Sequence, residues 1–307
     1  MNRGGVMEKK IYEVQGRTKS GIEKTVDGKQ VSDPKTHVVR SKKQIQAYKG
    51  IKDRERWEKN KHKNHWIACF HDPIKDLISN KSLSLNDLGF LLKLLPMMWF
   101  NRNGKLMRDH QNPLTVEDIS IRMKISRRTA ERHLKKLTNV GVLIKEKNPE
   151  DQRGYVYTVS KRFHHIGKMD NIHRNEAFDL YAFTKLYRSA KDKIDKLSLS
   201  EAGLMYKLLP FFHYKKYILS DAPDEQLEPE RYFFTQKGLA AAIGESESTI
   251  KRNMKALIRH GIIMKTQAYN SVHYIVNPDI MFRLDIEDEY TEQVRKMFKD
   301  HEITSEM

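Results

Sequence analysis

The sequence holds a single cysteine, Cys69, in 307 residues. One thiol excludes an internal disulfide, a four-cysteine zinc site and a two-Cys two-His finger, and it suits a reducing compartment. Cys69 lies in the apolar stretch WIACF, which marks it as core. Nowhere is there an uncharged apolar run of the roughly 18 residues that would suggest a membrane span. The longest apolar patch, LLKLLPMMWF, is short and is interrupted by Lys93 and Pro96. The opening residues, MNRGGVMEKK, have no apolar segment of the secretory type. A cytoplasmic protein with no membrane span is expected.

Catalytic signatures are missing too. There is no GxxxxGK[ST] phosphate loop and no HExxH pair. His62 and His65 lie in a Lys/Asn-rich stretch without a carboxylate pair beside them, and the adjacent His164 and His165 would point to opposite sides of a strand. None of the 13 tyrosines is accompanied by the His-hydrophobe-His arrangement that a DNA-nicking nucleophile needs. No enzyme activity, cofactor or metal is expected.

Positive charge is in excess. Lys and Arg number 57 against 40 Asp and Glu, a formal charge of +17. Such a balance concentrates polyanions at the surface, so nucleic acid is the first partner to consider and an anionic membrane surface the second. Hydrophobic residues make up 38% of the chain, enough for real cores.

The chain also repeats itself. LSLNDLGFLLKLLP at 83–96 returns as LSLSEAGLMYKLLP at 197–210, keeping the LSL, the glycine and the KLLP at an offset of 114. Residues 115–144 return at 235–264 with an offset of 120, which aligns Ser126 with Ser246, Thr129 with Thr249, Leu137 with Leu257 and Gly141 with Gly261. YVYTVS at 155–160 faces VHYIVN at 272–277, offset by 117. The register changes only between blocks, where loops belong. Two copies of one fold are the simplest reading.

Within the first copy, Leu85 to Met98 reads as an apolar helix capped by Ser84 or Asn86. A polar stretch with the turn signal Asn103-Gly104 follows. Thr115 caps a short helix whose first turn holds Glu117 and Asp118 and whose apolar face holds Ile119 and Met123. Ser126 caps the next helix, with Ala130, Leu134 and Leu137 facing inward and Gly141 terminating it in a left-handed conformation. VLIKEK and YVYTVS then read as a hairpin across NPEDQRG. The second copy repeats the order, with Thr235 and Ser246 as caps. Leu239, Ile243, Ile250, Met254 and Leu257 form its inner face, and IIMKTQ and HYIVN its hairpin, turning at Ala268 to Ser271.

The expected fold class is therefore mainly α with small β-hairpins (α+β): two tandem winged helix-turn-helix domains. The expected division is a basic, partly disordered arm at 1–64, a first winged-helix domain at 65–167, a linking helix at 168–196, a second winged-helix domain at 197–280, and an acidic C-terminal helix at 281–307. The arm holds 18 basic and 8 acidic residues, with the β-like fragments IYEV and THVV. The linking helix rests on the spacing of Phe178, Tyr181 and Leu186. The C-terminal helix rests on Tyr290, Val294 and Phe298 at intervals of four; it packs within the chain or pairs with another subunit.

The N-terminal part of a recognition helix reaches base edges in the major groove. That places Arg127, Arg128, Thr129, Arg132, Lys135 and Lys136 at DNA in the first copy. Residues 121–140 contain seven basic residues and one acidic one, where an ordinary solvated face mixes signs. In the second copy Ser248, Thr249, Lys251, Arg252 and Lys255 take these places, while Glu245 and Glu247 are expected to repel phosphate. Lys145, Lys147 and Arg153 on the first hairpin are candidate phosphate contacts.

The stretches LSLNDLGFLLKLLP and LTVEDISIRMKISRRTAERHLKKLTNVGVLIKE resemble bacterial winged-helix proteins of the MarR-like type, and also replication initiators of plasmids and phages of Gram-positive bacteria. Glu117, Ile119, Ser126, Thr129, Leu134, Leu137 and Gly141 occupy that pattern, and Leu239, Ser246, Thr249, Leu257 and Gly261 repeat it. The resemblance covers the two copies but neither the arm nor the C-terminal helix. It implies origin binding on double-stranded DNA. The expected partners are double-stranded DNA, a second copy met through the C-terminal helix or the second domain, and replication or transcription machinery. The alternatives are a transcription regulator with tandem winged helices, or a DNA segregation or packaging adaptor whose second domain binds protein.

Overall fold

A computed structural model of the chain describes residues 66–100, 102–149, 151–166, 182–224, 234–268, 271–284 and 287–306, with the backbone of short strands between residues 10 and 40. Within these ranges the side chains of residues 152, 153, 267, 268, 271 and 302–306 lie outside the description. The chain divides into two compact units, Met1–Asn64 and His65–Met307.

In the first unit, β1 (Lys10–Arg17), β2 (Glu23–Thr25), β3 (Gln30–Val31) and β4 (His37–Arg40) form one sheet in the order β3-β2-β1-β4. Strand β4 runs parallel to β1, and the other pairs are antiparallel. The β-like fragments IYEV and THVV of the expected basic, partly disordered arm fall largely on β1 and β4.

The second unit opens with β5 (Trp66–Phe70) and α1 (His71–Ser79), then α2 (Leu85–Leu94). Ser84 and Asp87 form a reciprocal capping box at the start of α2. The α-helix expected to reach Met98 stops at Leu94 and tightens into a 3-10 turn over Leu95–Met97. Pro96 is the cause: it lacks an N–H and its ring crowds the carbonyl four residues back. The helices α3 (Val116–Met123) and α4 (Arg127–Asn139) follow, capped by Thr115 and Ser126 as the sequence predicts. Gly141 is left-handed at φ 74°. The antiparallel hairpin β6 (Leu143–Asn148) and β7 (Asp151–Val159) comes next, then the short strand β8 (His164–His165).

Residues 167–181, with Phe178 and Tyr181, lie outside the described residues. The helical spacing ran on through Leu186, but Phe183–Tyr187 is a strand, β9. FTKLY is β-branched and aromatic, and its edge is taken by a partner strand, so pairing overrides the period. A short helix α5 (Lys191–Asp195) leads to α6 (Leu199–Leu208). Then come α7 (Gln236–Ile243), α8 (Glu247–Arg259), the hairpin β10 (Ile263–Ala268) and β11 (Ser271–Val276), β12 (Met281–Phe282) and α9 (Glu289–Glu306). Residues 269 and 270, at the tip of the expected hairpin turn, lie outside the described residues. The fold is thus a mixed α/β one in which the helix-turn-helix-hairpin order occurs twice.

The copies are not beads on a linker. Strand β5 pairs antiparallel with β9, its counterpart, and the central pair is Ala68↔Lys185. These two residues are 117 apart, as are the bounds of the two strands. The flanking pairs are reciprocal: Trp66↔Tyr187 on one side, Phe70↔Phe183 on the other. The outer strands match as well. Ala68↔His165 and Cys69↔His164 in one copy become Lys185↔Phe282 and Leu186↔Met281 in the other.

Helices α2 and α6 cross at glycine. A β-carbon at Gly89 would lie 1.8 Å from the Leu199 carbonyl oxygen, and one at Gly203 would lie 1.9 Å from the Leu85 carbonyl oxygen. Only glycine lets the two backbones approach this closely. Around this crossing a single hydrophobic core runs through both copies, including Phe90, Leu91, Tyr206 and Leu209.

Helix α9 buries Val294 and Phe298 in its own unit, and the Thr291 hydroxyl meets the Tyr217 hydroxyl at 2.7 Å. Arg295 fastens it through Asp279 and Glu287, and also pairs with Glu292 on the same helix. The helix thus packs within the chain. Among the described residues no helix is long and apolar enough to cross a membrane.

Candidate nucleic-acid interface

Helix α4 presents its sides as the sequence pattern predicts. Ala130, Leu134 and Leu137 are buried with His133, while Arg127, Arg128, Glu131, Arg132 and Lys135 are exposed. Ser126 Oγ accepts from the Thr129 amide, satisfying one of the open donors of the first turn. The Thr129 hydroxyl itself sits 2.8 Å from Ser126 Oγ, so it is engaged in the cap. Arg127 donates to Glu131 one turn on, at 3.0 Å. Among the described residues, Arg128, Arg132 and Lys135 meet no acidic partner.

Lys136 differs from the expectation. Its ammonium is 2.8 Å from Oδ2 of Asp87, a carboxylate with no exposed surface. His133 Nδ1 meets the other oxygen at 2.7 Å. Burial by itself would raise the Asp87 pKa; hydrogen bonds from His133, Lys136 and Ser84 outweigh it and hold the carboxyl far below its usual range. Lys136 therefore ties α4 to α2 and neutralises a buried charge. Asp87 is only partly legible in the sequence. Its capping role was legible three residues from Ser84, but its partners arrive 46 and 49 residues later in the chain.

Between α4 and its hairpin lies a cleft of about 710 Å³. Arg127, Glu131 and Lys135 line it from the helix, Glu117 from α3, and Lys145 and Tyr155 from the hairpin. At 100° per residue, Arg128 and Arg132 form the neighbouring row on α4, outside this mixed-sign cleft. The Lys145 ammonium stacks over the Tyr155 ring at 3.7 Å, and Lys147 is exposed. The Arg153 side chain lies outside the described residues.

Helix α8 is built the same way. Ile250, Met254 and Leu257 are buried, and Ser246 caps the first turn. Ser248, Lys251, Arg252 and Lys255 are exposed, while the Thr249 hydroxyl is held by Ser246 at 2.9 Å. The expected repulsion from Glu245 needs correction. Its carboxylate is 2.7 Å from the ammonium of Lys207, which is nearly buried on α6 and also donates to the Ile243 carbonyl. That charge is spent inside the protein, and Glu247 alone of the pair stands exposed. Replacing Lys207 with methionine is expected to cost about 2 kcal/mol in urea unfolding, less than a fully buried pair because Glu245 keeps some water contact. An unchanged midpoint would show the pair to be idle.

This architecture defines a DNA-binding class: a capped helix-turn-helix followed by a hairpin, with exposed arginines along the second helix. Comparison with protein families agrees. Residues 105–156 match the model described as an HTH domain, and residues 224–305 match that described as a Firmicute plasmid replication protein (RepL). No curated protein and no solved structure matches the chain. The chain therefore carries both a helix-turn-helix domain and a plasmid replication-protein domain, and binds DNA sequence-specifically through the former. Neither family description is that of an enzyme. Among the described residues no group of three or more His, Cys, Asp or Glu is placed to hold a metal ion.

Proposed function

We propose that the chain is a plasmid or phage replication initiator that binds an origin on double-stranded DNA through two winged helices. The observation that carries this reading is the position of the replication-protein match. It covers α7, α8 and the second hairpin, the elements that repeat the helix-turn-helix copy. On this reading β6–β7 and β10–β11 are the wings. Arg128 and Arg132 read base edges, since a planar guanidinium grips guanine O6 and N7 together. Arg127, Lys135, Lys145, Lys147 and Arg153 hold phosphate. In the second unit Ser248, Lys251, Arg252 and Lys255 make the contacts. Thr129, Thr249 and Lys136 act through the fold. The protein works in the bacterial cytoplasm at its replicon, and the partly exposed Tyr290 and Met297 on α9 are a surface for a second copy or for replication machinery.

The test is binding of the full chain to origin fragments. Arg128→Ala and Arg132→Ala are each expected to weaken specific binding roughly 10- to 100-fold. Lys135→Ala should weaken all sequences alike and reduce the salt slope by about one. Unchanged specificity in both arginine variants would reject the recognition face. Footprints over iterated sites beside an AT-rich tract support initiation. Protection of a promoter supports the second reading, a transcription regulator, which the general HTH match of the first unit also fits.

A further inference from the structure

We propose that one chain occupies one duplex as a fused dimer, on an inverted repeat with unequal halves. This rests on the reading that both recognition helices touch DNA, and it adds how their two half-sites are arranged.

The arrangement follows from how the copies are joined. Equivalent strands β5 and β9 pair antiparallel about Ala68 and Lys185, which are themselves equivalent. Copies related by translation would put equivalent strands parallel; only a two-fold rotation makes a strand meet its own counterpart in reverse. The contacts at the helix crossing are also reciprocal. Gly89 faces Leu199, and Gly203 faces Leu85, where Leu199 is the counterpart of Leu85. Reciprocity of this kind defines a two-fold interface.

Both recognition helices are braced against that frame. Asp87 on α2 binds His133 and Lys136 of α4. On the other side, Ser200 of α6 pairs with Asn253 of α8, and Lys207 holds Glu245 at the start of α8. Among the described residues, each reader is thus tied to the paired helices α2 and α6. Two readers related by a two-fold axis can sit together on one duplex only where the half-sites are related by the same axis, which makes the repeat inverted.

The halves differ because the helices differ. Arg132 and Lys135 keep their type in Arg252 and Lys255. Arg127 and Arg128 become Glu247 and Ser248, and Glu131 becomes Lys251. The half under α4 therefore takes an additional arginine contact that the half under α8 lacks. A symmetric homodimer cannot distinguish the ends of its site, whereas this chain gives a near-palindrome a direction.

The test selects duplexes from a random library with the full chain and then compares four designs: the selected site, its halves rearranged as a direct repeat, and each half alone. The selected consensus should be inverted, with one chain per site. It should bind roughly a hundredfold tighter than either half, because the second contact becomes intramolecular. The direct arrangement should bind no better than one half, and inserting half a helical turn between the halves should remove the gain. Equal binding to the direct repeat, two chains on one site, or one chain holding two duplexes would overturn the proposal. Failure to enrich any sequence would instead sink the DNA-reading role, and the arrangement with it.

Discussion

Replacing Gly89 with alanine is expected to destabilise the protein, although the same change in an isolated helix interior stabilises by about 1 kcal/mol. The reversal comes from the crossing of α2 and α6. The added methyl would stand 1.8 Å from the Leu199 carbonyl oxygen and 2.7 Å from the Gly203 nitrogen. Both obstacles are backbone, so no side chain can rotate away and the helices must separate. Overpacking a tight core costs about 1–3 kcal/mol, and more where the main chain has to move. The net loss should reach the upper part of that range. Gly203→Ala should behave alike, because its methyl would meet the Leu85 carbonyl at 1.9 Å. The double variant should lose less than the sum of the two, since helices already parted for one methyl have room for the other. Urea unfolding of the four proteins checks this. A stabilised Gly89→Ala protein would mean that the copies are not joined at this crossing.

Asp87→Ala is expected to cost about 3–5 kcal/mol, the scale for removing one partner of a buried charge pair. It strips the capping box from α2 and leaves His133 facing an empty place in the core. Asp87→Asn tests the charge separately, because the amide keeps the shape but can no longer neutralise Lys136. The pH dependence has a definite sign. Asp87 is held below its unfolded value, so its contribution is complete above the unfolded carboxylate pKa of about 3.9. It fades as pH falls from there towards the folded value. The gap between wild type and Asp87→Asn should thus be constant above about pH 5 and narrow below about pH 4. A gap that widens in acid would remove Asp87 from this role.

The features legible in the sequence are those with local causes. Ser84, Thr115, Ser126, Thr235 and Ser246 cap helices because a short polar side chain three residues before an open amide has its partner within reach. The inner faces of α4 and α8 follow from a 3.6-residue period, and the exposed arginines from what remains. The matching blocks at 83–96 and 197–210 showed the duplication.

Tertiary structure decided the rest, because the partners are far apart in the chain. WIACF and FTKLY occupy equivalent places yet share no identical residue, so the strand pair that joins the copies left no repeat to find. Gly89 and Gly203 were visible as a repeated residue inside helices, where glycine is a cost; their reason appears only when one backbone is laid on the other. The charges of Lys136 and Glu245 looked available for DNA or against it. Both are ion-paired, to Asp87 and Lys207, although the Lys136 side chain keeps part of its surface exposed, and no local pattern announces an ion pair that spans 38 to 49 residues of chain. The sequence by itself determined two helix-turn-helix copies whose second helices carry unlike exposed charges. Only the tertiary structure set them about a two-fold axis, because that relation rests on antiparallel pairing and a glycine crossing between segments more than a hundred residues apart.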